Sequence, residues 1–208
     1  MIAYCPEIYY LYGWSVVRTG DILKVIGDKG SEMEGNLNVW TIGHSTRTLP
    51  EFLDLLKSNK VRLLADVRRF PASRKYPHFS QESLQCSLRQ VGIDYVYFPE
   101  LGGRRRPRPD SHNTVWRNES FRGYADYMDT QEFRSGIERL SEIAFKQPLA
   151  VMCSEAVWWR CHRALIADYL KSKGAVVHHI MSEQKTVVHP YTSAARITEG
   201  KLEYSPPT

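Results

Sequence analysis

From Asn38 onward, short β-branched or aromatic runs alternate with stretches of helical periodicity, and this alternation admits few architectures. Val39-Trp-Thr-Ile42 reads as a buried strand ending at Gly43-His-Ser45. Thr48-Leu-Pro-Glu51 reads as a helix start, with Thr48 as cap and Glu51 placed to close a capping box. Phe52, Leu55 and Leu56 give that helix its apolar face. Residues 61–67 are nearly all apolar until Asp66, as a strand covered on both faces requires. Leu84, Leu88 and Val91 mark a helix that stops at Gly92, and residues 93–98 form the next strand. Residues 121–128 and 133–144 predict two helical segments around Thr130, itself a cap. Residues 149–152 and 175–180 complete five strands, with a helical pattern over 164–173 between them. Strands separated by helices imply right-handed crossovers. The predicted fold is therefore α/β, a single three-layer domain with a mainly parallel sheet of about five strands and helices on both faces.

Residues 1–37 differ in character. Ile8-Tyr-Tyr-Leu-Tyr12 predicts a small packed extension or a hairpin, and the Gly- and charge-rich stretch from Gly27 to Gly35 reads as a linker. The α/β domain is expected over residues 38–208. Hydrophobic content of 42% and charged content of 25% are those of a soluble globular protein. No stretch approaches a membrane span, the N-terminus lacks a secretory layout, and no membrane partner is expected. Four cysteines at positions 5, 86, 153 and 161 do not form a disulfide framework, which points to a reducing cytoplasm. A net charge of +5 favours anionic partners.

Reactive side chains gather where strands end. Strand ends deliver His44, then Asp66 and Arg68, then Glu100 and Gly102-Gly103, then Cys153 and Glu155. Open parallel sheets bind ligands outside the carboxyl ends of their strands, so one cavity lined by His44, Arg68, Glu155 and Arg163 is predicted. The densest segment is Cys153-Ser-Glu-Ala-Val-Trp-Trp-Arg-Cys-His-Arg163, with Cys153, Glu155, Cys161, His162 and Arg163 inside eleven residues. A helix N-terminus beside Cys153 favours its thiolate and predicts a pKa below about 8.5. Glu155, in a loop lined by Trp158 and Trp159, is expected to be desolvated and to serve as a general acid.

Several of these groups carry two readings. His44 is a general base or substrate hydrogen-bond donor, or it supports a loop. Asp66 and Arg68 form a structural ion pair, or Asp66 orients Arg68 for a phosphate or carboxylate, with Arg69, Arg74 and Lys75 close behind. The loop over residues 102–117 holds Arg104, Arg105, Arg106, Arg108 and Arg117 with Trp116 interleaved. It predicts a clamp on a phosphorylated ligand or a track for a nucleic-acid backbone with Trp116 stacked on a base. Zinc ligation by Cys153, Cys161 and His162 suits the ligand types. Seven residues separate the two cysteines, however, and neighbours on a helix point about 100° apart. A cysteine phosphatase loop is excluded, because six residues rather than five separate Cys153 from Arg160.

Thr41-Ile-Gly-His-Ser45, Asp66-Val-Arg-Arg-Phe-Pro71, Leu101-Gly-Gly103, Phe121-Arg-Gly-Tyr-Ala-Asp-Tyr-Met128 and Cys153-Ser-Glu…Cys161-His-Arg163, in this order, resemble the DUF488 family over about residues 39–182. The resemblance implies an α/β fold with a recurrent polar site and leaves the reaction open. The residues themselves predict an enzyme, a hydrolase or transferase, acting on a nucleotide, nucleic acid or other phosphorylated substrate. Cys153, Glu155 and His44 would do the chemistry, and Arg68, Arg74, Arg104, Arg163 and His162 would hold the anion. The alternative is a non-catalytic nucleic-acid-binding or sensing module on the basic loop. No cofactor is predicted, zinc on Cys153, Cys161 and His162 being the alternative that the ligand types allow.

Overall fold

The structure is a computed structural model that describes residues 14–19, 22–27, 37–72 and 75–206. Contacts divide the chain into two units, Met1–Gly35 and Asn36–Thr208. In the first, β1 (Trp14–Thr19) pairs antiparallel with β2 (Ile22–Gly27), Thr19 facing Ile22. Gly27, expected to open a linker, closes β2 instead; residues 8–12 and 28–35 lie outside the described residues.

The second unit runs β3 (Asn38–Gly43), α1 (Leu49–Ser58), β4 (Leu63–Asp66), α2 (Gln81–Gln90), β5 (Asp94–Tyr97), α3 (Glu119–Tyr127) and α4 (Gln131–Lys146). There follow β6 (Leu149–Cys153), α5 (Arg163–Ser172), β7 (Val176–Ser182), β8 (Lys185–Val188), β9 (Arg196–Thr198) and β10 (Lys201–Glu203). The main sheet has the order β5-β4-β6-β3-β7-β8. Its first five strands are parallel, and β8 lies antiparallel on β7 as an added edge. The five parallel strands are those that the alternation predicts. β8 and the β9–β10 hairpin are additions.

Local chemistry explains the helix ends. The Thr48 side chain accepts from the Glu51 N–H while Glu51 reaches back to the Thr48 N–H, so the capping box forms. Thr130 accepts from the Phe133 N–H and starts α4. Because side chains alternate across a strand, Leu64 faces one layer and its neighbours Leu63 and Ala65 the other. Phe52, Leu56, Leu84 and Leu88 from α1 and α2 bury against Ile42, Leu64, Ala150 and Met152. On the opposite face Tyr124, Phe133, Leu140 and Leu165 from α3, α4 and α5 cover Val39, Ala65, Val151 and Val177. The result is three layers, helices on both faces of the sheet. Among the described residues no helix is long and apolar enough to cross a membrane.

Strand order also fixes where a ligand can enter. From β3 the chain passes through α1 to β4 on one side, and from β6 it passes through α5 to β7 on the other. β3 and β6 are neighbours, yet α1 and α5 pack on opposite faces. Adjacent parallel strands whose connections part in this way leave a crevice beyond their carboxyl ends.

Candidate active site at the carboxyl ends of the strands

The two strand-end loops are tied together. The His44 N–H donates to the Cys153 carbonyl (3.0 Å) and the Ser45 N–H to the Ser154 carbonyl (2.9 Å). Gly43 makes this closeness possible: a Cβ there would collide with the Glu155 carbonyl oxygen and approach Arg163 Nη2 to 2.9 Å. Arg163 Nη2 donates to that same carbonyl at 2.5 Å. After Glu155 the chain makes a short 3₁₀ turn, Trp158–Arg160, with Trp158 stacked on His179 (centroids 4.4 Å, planes 6° apart). This turn returns Cys161 to the site.

The crevice is a cleft of about 770 Å³ lined by residues from four strand ends, among them His44, Arg68, Arg104, Cys153, Glu155 and His162. Arg69, Lys75 and Arg160 also line it and are exposed. Glu155 is the acidic residue among its lining residues. Ser45 (φ 49°) and Arg104 (φ 58°) hold left-handed backbone on its edge. Such strain costs of order 1–3 kcal/mol per residue and recurs at ligand sites.

At the floor lie three soft or borderline donors. His162 Nδ1 is 3.6 Å from Cys161 Sγ and 4.0 Å from Cys153 Sγ, and all three donor atoms fall within 4.8 Å of one another. His162 Nε2 donates to the Val67 carbonyl at 3.1 Å, which turns Nδ1 toward the sulfurs. The expected 100° divergence of Cys161 and His162 does not arise. Cys161 is extended (φ −134°, ψ 148°), His162 caps the helix, and α5 begins at Arg163.

The two thiols share charge unequally, and Cys153, expected below about 8.5, is shifted the other way. The adjacent Cys161, burial and the charge on Cys161 push Cys153 up to about 12. Burial opposes ionisation of Cys161, but the Cys153 thiol, the Arg163 guanidinium and the Arg163 backbone N–H outweigh it and bring Cys161 down to about 6. The helix N-terminus thus acts on Cys161, which precedes it directly, rather than on Cys153 at the strand end.

His44 packs face to face on Phe79 (centroids 4.4 Å) and donates from Nδ1 to the Ser45 carbonyl at 3.1 Å, which presents Nε2 as the acceptor. Burial, and then the Arg68 charge, lower its pKa to about 4. Near neutrality it is therefore an uncharged hydrogen-bonding group. Arg68 lines the cleft, but Asp66 holds it: Nε and Nη2 donate to the carboxylate at 2.9 and 2.5 Å, and Nη1 donates to the Phe79 carbonyl. Both readings of that pair meet here, an ion pair that also orients a cleft arginine.

Three expectations need correcting. Arg163 does not reach the cleft: it is 1% exposed, and it braces the Glu155 carbonyl and Thr41 from below. Glu155 is exposed rather than enclosed by tryptophans, because Trp158 leans on His179 and Trp159 is 54% exposed. The basic loop is turned inward only in part, with Arg104, Arg106, Arg108 and Arg117 left exposed. Arg105 stacks on the Tyr127 ring (3.6 Å), Arg108 pairs with Asp129 (3.4 Å), and Trp116 stacks on Phe121 inside the fold. Asp126 anchors the loop through the Arg108 N–H, Ser111 and Asn113. Arg104 alone of the loop's arginines lines the cleft. Arg74 lies outside the described residues.

A buried chain that the sequence reading did not anticipate runs behind the floor. Asp168 accepts from His189 Nε2 (2.8 Å), His189 Nδ1 meets His179 Nε2 (2.9 Å), and His179 Nδ1 meets Thr41 Oγ1 (2.7 Å). Arg163 Nη1 then donates to Thr41 at 3.4 Å. Tyr204 and Thr192 complete the Asp168 carboxylate from the C-terminal segment.

A family model described as "Domain of unknown function DUF488" matches residues 48–170, more than half of the chain. The matched span contains Arg68, Arg104, Cys153, Cys161 and His162, and begins just after His44. Neither curated proteins nor solved structures gave a match.

Proposed function

The chain belongs to the DUF488 family, and we propose that it is an enzyme acting on a phosphate-bearing substrate, a nucleotide or single-stranded nucleic acid, in the cytoplasm. One observation carries this reading: the lining of the cleft. Arg68 is matched by Asp66, but Arg69, Lys75, Arg104 and Arg160 stand against Glu155 alone, above a floor of two thiols and an imidazole. Such an excess of guanidinium and ammonium groups suits phosphate, which arginine grips through two parallel hydrogen bonds. His44 Nε2 would accept from the substrate, and Cys153, Cys161, His162 and Glu155 are the groups in reach of its reacting atoms.

The class is narrowed by Phe70. It is 65% exposed on the edge of the cleft, with the Arg104 guanidinium 5.8 Å from its ring centroid. An exposed aromatic face beside arginines supplies the stacking surface that nucleobases use. The rival, a non-catalytic nucleic-acid-binding module on the 102–117 loop, has less support, since Arg105 packs on Tyr127 and Trp116 on Phe121.

Thermal-shift titration with inorganic phosphate, sugar phosphates, nucleotides and short oligonucleotides tests the proposal. A ligand present at a hundredfold excess over its Kd should raise Tm by about 5–10 °C. Arg160→Ala should weaken nucleotide binding roughly ten- to hundredfold, the worth of one charge-assisted contact. Phe70→Ala should weaken nucleotides and leave inorganic phosphate unchanged. No shift with any phosphate-bearing ligand would end this reading. Binding that survives Cys153→Ser and Glu155→Gln with no turnover of any bound ligand would favour the module.

A further inference from the structure

We propose that Cys153, Cys161 and His162 form a three-ligand site for a zinc-class divalent cation at the floor of the cleft. The donor set is soft thiolate plus imidazole, the combination that selects Zn(II) over hard cations such as Mg(II). The spacing fits. Zn–S bonds of about 2.3 Å and Zn–N bonds of about 2.0–2.1 Å arranged tetrahedrally put sulfur and nitrogen about 3.6 Å apart. The structure has 3.6 Å and 4.0 Å between His162 Nδ1 and the two sulfurs. The donors therefore stand close to binding positions with no backbone rearrangement.

Outer contacts hold the imidazole as a ligand requires. Metal-bound histidines commonly donate their other ring N–H to a carbonyl, which fixes the tautomer and the ring plane. His162 does this through Nε2 and the Val67 carbonyl, leaving Nδ1 toward the sulfurs. The ring is clamped as well. Tyr124 packs against it at a tilt (centroids 5.0 Å, planes 51° apart), and Gly103 approaches so closely that a Cβ there would fall 2.7 Å from Nδ1 and 3.1 Å from Cγ and Cε1. The long gap between the cysteines, which argues against a zinc-finger knuckle, is bridged here by the 3₁₀ turn that carries Cys161 back beneath the strand end.

Three protein donors leave a fourth position. Cys153, Cys161 and His162 all line the cleft, so that position opens toward the ligand space. Structural zinc sites are closed by four protein ligands, whereas three ligands with an open position mark catalytic ones. A zinc-class ion so placed can polarise a phosphoryl oxygen or acidify a bound water. The inference rests on the cleft reading only for what the open position faces; the ion can be tested without any substrate.

Co(II) added to the reduced, chelator-stripped full-length protein is the probe. The expected result is one Co(II) per chain, with intense visible bands of tetrahedral geometry and a near-ultraviolet thiolate-to-cobalt charge-transfer band, both displaced by Zn(II). The charge-transfer band should be lost or weakened in Cys153→Ser and in Cys161→Ser. His162→Ala should weaken binding at least tenfold, and Cys86→Ser should leave the spectrum unchanged. Circular dichroism of each apo variant separates a lost ligand from a lost fold, and Cys153→Asp, which keeps an anionic donor, should restore binding should the serine variant misfold. Absence of the charge-transfer band in folded wild-type protein overturns the site. So does a band that persists when both Cys153 and Cys161 are serine. Cobalt binding with no phosphate-ligand shift would leave the metal site standing and remove the substrate reading.

Discussion

Replacing Asp66 with alanine is expected to destabilise the protein by about 3–5 kcal/mol, the cost of stranding one partner of a buried ion pair. Asp66 is 0% exposed and Arg68 5%, and the carboxylate takes four bonds from the Arg68 backbone N–H, Nε and Nη2 besides one from the Tyr95 hydroxyl at 2.7 Å. Burial and the neighbouring carboxylate push the Tyr95 pKa well up, so that hydroxyl stays a donor. Without Asp66 the guanidinium loses its carboxylate and keeps the Phe79 carbonyl. Tm should fall by on the order of 10 °C in a domain of this size. Adding Arg68→Met to Asp66→Ala should recover a good part of the loss, since two apolar groups leave no uncompensated charge. Denaturant unfolding of the two variants checks this. A single variant within about 1 kcal/mol of wild type, the range of exposed ion pairs, would show that water reaches Arg68 freely.

Stability should also decline steeply on mild acidification because of His179. Burial first, then the charges of His189, Arg163 and His178, lower its pKa to about 2. An unfolded histidine titrates near pH 6.5. Between those values the unfolded chain binds the proton and the folded chain does not, so stability rises with pH and is fully present only above about 6.5. Each unit below that costs up to about 1.4 kcal/mol, or about 2–3 kcal/mol at pH 4.5. Around the ring, Trp158 stacks on it, Thr41 and His189 hydrogen-bond to its two nitrogens, and the Arg163 guanidinium lies beyond Thr41. Asp168, the nearest carboxylate in this chain, is screened behind His189. Guanidinium unfolding from pH 7.5 to 4.5 should show this slope in wild type and a shallower one in His179→Gln. Equal slopes would mean that His179 is protonated in the fold.

Local pattern carried most of the fold. The apolar stretch around Leu64 could only be a strand covered twice, and Thr48 with Glu51 or Thr130 before Phe133 specify helix starts through bonds spanning three residues. The convergence of His44, Arg68, Cys153 and Glu155 was legible for the same reason, since a parallel sheet brings every strand's carboxyl end to one edge. What escaped depends on partners distant in sequence. The Asp168–His189–His179–Thr41 chain joins four segments and leaves no local periodicity. The inward turn of Arg105 depends on Tyr127, and that of Trp116 on Phe121 and Tyr204. Cys161 carried a usable signal, its place directly before His162-Arg163 at the helix start. Nine residues separate Cys153 from Arg163, the start of α5, too many for the helix terminus to be assigned to it from sequence. β8, with exposed residues and only four positions, has too little apolar pattern to announce itself.

The most direct test of a phosphate-binding cleft floored by thiols is protection of those thiols from alkylation. Reduced, chelator-treated protein is pulsed with iodoacetamide, and modification is read by mass spectrometry at each cysteine, with exposed Cys86 as internal reference. A saturating nucleotide, established by its Tm shift, should slow modification of Cys153 and Cys161 at least tenfold and leave Cys86 unchanged. In Arg160→Ala the same concentration should protect less. Unchanged rates at Cys153 and Cys161 under a ligand that demonstrably binds would place the anion elsewhere and contradict a single site that joins the basic lining to the sulfur floor.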